Sequence, residues 1–186
     1  MSKALDIAEN LALLSTKYTS STSILDSVTF NGTLGSSATF PAGHVLQVKT
    51  GTNSTESYTE STGFATCYLT VAITPTNTSS KFFIICNTSG YNNGGSSQVG
   101  YYTIYRDSTN LGPDNGYADV YQGSNSPSGA DLGTNICITE LDSPTIPSTP
   151  IAITYGLYAR VNNTSYKAYW SMNGSMSNIT VMEIAG

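Results

Sequence analysis

Beyond residue 45, hydrophobic and polar positions alternate with a period of two over most of the chain. Ala65, Cys67, Leu69, Val71 and Ile73 fall on one face, with Thr66, Tyr68 and Thr70 on the other. That is the pattern of a strand with one buried side. Ile153, Tyr155, Leu157, Ala159 and Val161 form a second such stripe. The same reasoning predicts strands near 45–50, 81–88, 100–106, 117–122, 135–141, 166–172 and 178–184, most of them separated by clusters of Gly, Pro, Asn and Ser. Many short strands at this spacing predict an all-β fold, a mostly antiparallel β-sandwich with jelly-roll-like topology.

Two of these strands depart from the pattern. Residues 81–86 are apolar on both faces, and so are 179–184 apart from Glu183. A sandwich strand ordinarily keeps one wet face. Either these strands are covered twice within the fold, or their outer faces meet another subunit; the second option predicts an oligomer, which also hides sheet edges.

Before residue 45 the period changes. Ala4, Ile7, Leu11, Leu14 and Tyr18 recur at alternating steps of three and four, a stripe that predicts a short N-terminal helix over 1–18, capped by Ser2. A helix of about fifteen residues is marginal alone in water. Its stripe therefore needs a partner: its own domain, a short self-associating bundle, or another protein. Residues 19–44, rich in Ser, Thr and Gly, predict an extended arm that leads into a β-sandwich domain over 45–186.

Composition narrows the function classes. Only 10% of the 186 residues are charged, and 26 Ser and 26 Thr fill the gap; a typical domain carries about 25% charge. Aromatics at 10%, with several β-branched runs, suffice for a core and exclude a disordered chain. The longest apolar run, 82–86, is five residues, whereas a membrane-spanning helix needs roughly 20. The net charge is −5, and 82–166 carries six acids against two bases. The clustered basic face that nucleic acid or an anionic membrane requires is missing. Cys67, Cys86 and Cys137 each lie in a strand-like run; their odd number and wide spacing read as buried free thiols, not as a disulfide framework or a zinc site. Asp6 and Glu9 stand where a secretory leader would be apolar, so no leader is read.

Four stretches stand in order along the β region: Pro41-Ala42-Gly43-His44-Val45-Leu46-Gln47-Val48; Ile73-Thr74-Pro75-Thr76-Asn77-Thr78-Ser79-Ser80-Lys81-Phe82; Tyr102-Thr103-Ile104-Tyr105-Arg106-Asp107-Ser108-Thr109-Asn110-Leu111-Gly112; and the terminal Ile179-Thr180-Val181-Met182-Glu183-Ile184-Ala185-Gly186, with Leu141-Asp142-Ser143-Pro144 ahead of it. Together they resemble the C-terminal β domains of tail-fibre-like virion proteins of aquatic bacteriophages, cyanophages especially, over 41–186. The resemblance implies a non-enzymatic virion structural protein, commonly trimeric and exposed on the particle. It implies a homotrimer assembled in the host bacterial cytoplasm. Residues 1–40 lie outside the match, where an anchor to other virion proteins of the tail or capsid is expected. A short fibre for host adsorption is the leading reading. A capsid decoration protein or head fibre is the alternative, and a surface-glycan depolymerase a third.

Candidate chemistry is sparse. His44 is the only histidine and sits in a turn-like stretch, so no Ser-His-Asp set is assigned. Asp107, Asp114, Asp119, Asp131, Glu140 and Asp142 are the carboxylates a glycosidase would draw on, and most lie in turns, where Asp serves the backbone. Asp114, Asn115 and Asp119 bring oxygen ligands close together as a weak calcium candidate, without a bidentate Glu. No cofactor is expected. The loops 88–100 and 122–134 hold Tyr91, Asn92, Asn93, Gln122, Asn125 and Asp131, a ring with amides and a carboxylate suited to a host surface glycan. Ala4, Ile7, Leu11, Leu14 and Tyr18 are the expected assembly residues.

Overall fold

The computed structural model describes residues 40–93, 98–122 and 133–186. The expected N-terminal helix and arm, with Ala4, Ile7, Leu11, Leu14 and Tyr18, lie outside the described residues, as do Asn125 and Asp131.

Alternating side chains with one apolar set per strand make eleven strands, β1 (Val45–Asn53), β2 (Ser57–Thr59), β3 (Ala65–Ile73), β4 (Lys81–Asn92), β5 (Gln98–Arg106), β6 (Thr109–Asn110), β7 (Ala118–Gln122), β8 (Thr134–Asp142), β9 (Ile153–Val161), β10 (Ala168–Trp170) and β11 (Ser177–Ile184). All their pairings are antiparallel. On one flank of β4, β11 pairs with Lys81 to Asn87 and β10 continues along Gly90 to Asn92. The other flank takes β8. β1 and β2 pair in turn with β11 and β10. The first sheet is thus four strand positions wide: β1/β2, β11/β10, β4 and β8. The second is β3, β9, β5 and β6/β7, because β6 and β7 share one flank of β5. The chain alternates between sheets except at β1–β2 and β10–β11, which stay in the first sheet, and where β5 turns back into β6 and β7. This is the double Greek key of a jelly roll.

The inward set fills one core. Phe82, Ile84 and Cys86 of β4 meet Tyr102 and Ile104 of β5, Tyr155 and Leu157 of β9, Trp170 of β10, and Ile179 and Val181 of β11, all at most 1% exposed. At the β1 edge the sheets close so tightly that a Cβ on Gly51 would stand 2.0 Å from the Thr70 carbonyl oxygen.

Between β10 and β11 the chain leaves the sheet for a short excursion, with Ser171, Asn173 and Gly174 at φ of 53°, 52° and 71°. Buried hydroxyls pin its base. Ser171 Oγ and Thr88 Oγ1 each lie 2.7 Å from Ser177 Oγ. The Ser171 N–H donates to Thr88 Oγ1.

Cys67 and Cys86 are free and buried as expected, but Cys137 is free and exposed. It occupies the outward side of the edge strand β8, opposite Asn87. Burial first, then a neighbouring cysteine, pushes the Cys86 thiol up to about 12 and raises Cys67 too.

Candidate binding and assembly surfaces

Strand register decides what each outer face presents. On the first sheet, Val48 pairs with Met182, Met182 with Phe83 and Phe83 with Leu141. These four side chains make an apolar row across the whole sheet, with Val48 52% and Leu141 54% exposed at its ends. The neighbouring row is Thr50, Thr180, Ile85 and Thr139. Neither row holds a charge. The inner sides of the same strands already pack the core, so the two-faced pattern of 81–86 and 179–184 is an outer apolar row, not double coverage within the described fold.

At the far end of that sheet a second row runs Tyr58, Tyr169, Tyr91. Tyr91 stacks on Tyr169 at 4.2 Å and 13°, and Tyr58 lies 5.2 Å from Tyr169 on the other side. Lys167 Nζ sits 3.8 Å over the Tyr58 ring and 3.5 Å from Glu60. Tyr91 therefore belongs to β4, not to a loop, with one ring face taken by Tyr169. Asn92 points inward at 2% exposure and is closed to a ligand. Asn93 is exposed, yet its side-chain oxygen accepts the Lys167 N–H at 2.8 Å. Gln122 ends β7 opposite Gln98. Of the six residues expected to receive a glycan, Tyr91 and Asn93 come to one corner, and Asn125 and Asp131 lie outside the described residues. Tyr58 and Tyr169, not among those six, complete it. Their signal was the repeated tyrosine in short runs between polar turns.

Two oxygens of the weak calcium candidate are taken by a cation of the fold itself. Arg160 Nη2 donates to Asn115 Oδ1 at 2.9 Å and to the Asp114 carbonyl at 3.2 Å. Asp119 stands on β7 beside Tyr101, in regular sheet register. Among the described residues no group of three or more His, Cys, Asp or Glu converges as a metal set.

Asp142, Glu183 and Asp107 have structural partners. Asp142 takes both its oxygens to Arg106 Nη1, at 2.6 and 2.8 Å, and accepts the Tyr155 hydroxyl at 2.8 Å. Glu183, wholly buried, accepts the Thr76 N–H at 2.7 Å, the Ser80 hydroxyl at 2.6 Å, the Thr76 hydroxyl at 2.9 Å and Gln47 Nε2 at 2.6 Å. Burial by itself would raise its pKa, but the bonds from Ser80, Gln47 and Thr76 outweigh it and hold the carboxyl below its ordinary value. Asp107, at φ 51°, turns β5 into β6 and accepts the Thr154 N–H at 2.9 Å. His44 lies with its ring 6.0 Å from Phe40. No two carboxylates among these are left free to face a common substrate.

The second sheet presents a different outer face. Tyr105 stacks on Tyr158 at 4.1 Å, and the Arg160 guanidinium lies 4.3 Å over Tyr101 and 5.3 Å over Phe64. Tyr68, 71% exposed, and Tyr121, 56% exposed, flank this group.

No protein-family model matches the chain, and no curated protein is similar to it.

Proposed function

We propose that the protein is a non-enzymatic structural component of a bacteriophage virion, a homotrimer held in part through the outer face of the β1/β2, β11/β10, β4, β8 sheet, and displayed as a short appendage for host adsorption. The observation that carries this reading is the uncharged row Val48–Met182–Phe83–Leu141, open on a sheet whose inner face is already packed. Contiguous apolar surface on a soluble protein marks an association site. A row with no charge offers a second copy nothing to repel and no buried ion to desolvate. The resemblance of 41–186 to tail-fibre-like virion domains supports the same assembly, and the carboxylates tied to structural partners favour a non-catalytic role.

The test is the mass in solution. Light scattering on the purified chain at micromolar concentration should give about three times 19.6 kDa. Replacing Met182 and Leu141 together by Asp should reduce that mass while the β signature by circular dichroism persists. A wild-type monomer would sink the assembly. Electron microscopy of intact particles then places it: density at the tail means a fibre, density on capsid faces or vertices a decoration protein.

A further inference from the structure

The two outer faces of the jelly roll differ in chemistry. The first sheet carries an apolar row and threonines, with the mutually packed Tyr58, Tyr169 and Tyr91 confined to one corner under Lys167. The second carries Tyr68, Tyr101, Tyr105, Tyr121 and Tyr158 around Arg160, with threonines between them. Its outward strand charges are Arg160 and Asp119, and the turn that Arg160 grips adds the exposed Asp114, so the face carries no net positive charge. We propose that this tyrosine face is a carbohydrate-binding surface for a neutral glycan chain. The inference rests on the assembly reading to the extent that covering the first sheet with copies leaves this face on the outside.

Three observations point to such a ligand. First, the phenol oxygens of the five tyrosines have no hydrogen-bond partner among the described residues. Other tyrosines of the fold do use theirs: Tyr102 donates to the Tyr169 carbonyl, Tyr117 to the Leu111 carbonyl and Tyr155 to Asp142. Sugar hydroxyls both donate and accept, which matches free phenols. The rings supply apolar area with few rotors to freeze.

Second, the face is built rigid at its centre. Arg160 lies against Tyr101 and Phe64 and is anchored on the Asp114–Asn115 turn, yet among the described residues its Nε and Nη1 make no hydrogen bond. A fixed guanidinium with spare donors suits hydroxyl oxygens. Gly156, outward on β9 opposite Tyr105, lies close against β3, where a Cβ would stand 3.1 Å from Thr70 Cγ2.

Third, Tyr68 is held at φ 56° on an irregular stretch of β3, where the register to β9 shifts between Thr66 and Thr70. A bulky residue in the left-handed region is strained, and strain of this kind gathers at binding sites. Here it lifts the most exposed aromatic ring of the described fold, at 71%, out of the sheet. An acidic glycan is disfavoured because the face has no net positive charge and the chain carries −5 overall.

The experiment uses the full chain on an array of neutral and acidic polysaccharides, with light scattering on the same samples. Binding to at least one neutral polysaccharide is expected. Tyr68→Ser with Tyr121→Ser, both at exposed positions, should weaken it about tenfold, as losing two stacked rings implies, with the melting temperature maintained. Tyr68→Phe with Tyr121→Phe, which keeps the rings, should lose less. No neutral polysaccharide bound, acidic ones alone bound, or full binding by the double serine variant would each overturn the proposal. Loss of glycan binding by a variant that remains trimeric bears on this face alone. A monomer that still binds neutral glycan would overturn the assembly reading and leave this one standing.

Discussion

Glu183 shows how a single buried charge is made tolerable without a counter-ion. Four donated hydrogen bonds replace its water, one from Gln47 of β1 and three from Thr76 and Ser80 of the 74–80 link, while Glu183 itself belongs to β11. The carboxylate therefore ties three segments together. Its folded pKa is depressed, so its contribution is present above the unfolded Glu value of about 4.3 and is lost as pH falls through the folded pKa. Glu183→Gln should remove that dependence and turn an amide donor towards existing donors, at a cost of about 1–3 kcal/mol. Denaturant melts of both proteins between pH 3 and 7 check it: the gap should narrow on the acid side. Arg106→Ala should cost about 3 kcal/mol, since it leaves Asp142 buried without its cation. That figure lies at the low end because the Arg106 side chain is 25% exposed and water can partly replace it. Tyr91 changes character in the same light. As an isolated loop ring it would be silent in stability, but as a stacked partner of Tyr169 its removal in Tyr91→Ala should lower the folding free energy by about 0.5–1.5 kcal/mol beyond the lost burial. Thermal melts separate these outcomes.

At the scale of elements, strict alternation is what made the sequence legible. Strands β1, β3, β4, β5, β7, β8, β9 and β11 each have enough residues to display a period of two, and each lies where that period predicts. β2 and β6, with three and two residues, are too short to show one. The predicted run 166–172 is cut to β10 because Ser171 turns left-handed onto a buried hydroxyl cluster, a tertiary contact with no local signature. The Gly- and Asn-rich end of β4 reads as a loop, yet Gly90 is needed in the strand: a Cβ there would stand 2.6 Å from Ile136 Cδ1 and 3.1 Å from the Tyr169 carbonyl. This one misreading moved Tyr91 from loop to ladder and turned Asn92 inward. The partner of two oxygens of the weak calcium candidate, Arg160, was hidden for a related reason, since it is 45 residues away in sequence. A test at this scale is Gly51→Ala. The β1 backbone would have to retreat from Thr70, separating the two sheets along that edge, and overpacking of this kind costs roughly 1–3 kcal/mol. A melting temperature within a degree of wild type would show that the edge can relax.

For the whole molecule, strand direction sorts the ends of the jelly roll. The chain enters at Phe40, and Gly43 N–H donates to the Ala185 carbonyl while Ala185 N–H donates to that of His44. Entry point and C-terminus are thus bonded side by side. β4 and β7 finish, and β5 and β8 begin, at the opposite end, where Gly90 pairs with Thr134 and Gln98 with Gln122. Phe40–Gly186 also forms a compact unit by itself, with its own core and with its first residue packed near His44. Removing residues 1–39 should then leave a folded β domain. Its melting temperature should lie within a few degrees of the full chain, because no described core residue is lost. The same truncation should abolish incorporation into particles, measured by the protein content of purified virions. A truncated chain that folds and is still incorporated would place the attachment on the sandwich itself, and one that fails to fold would show that 1–39 completes the core.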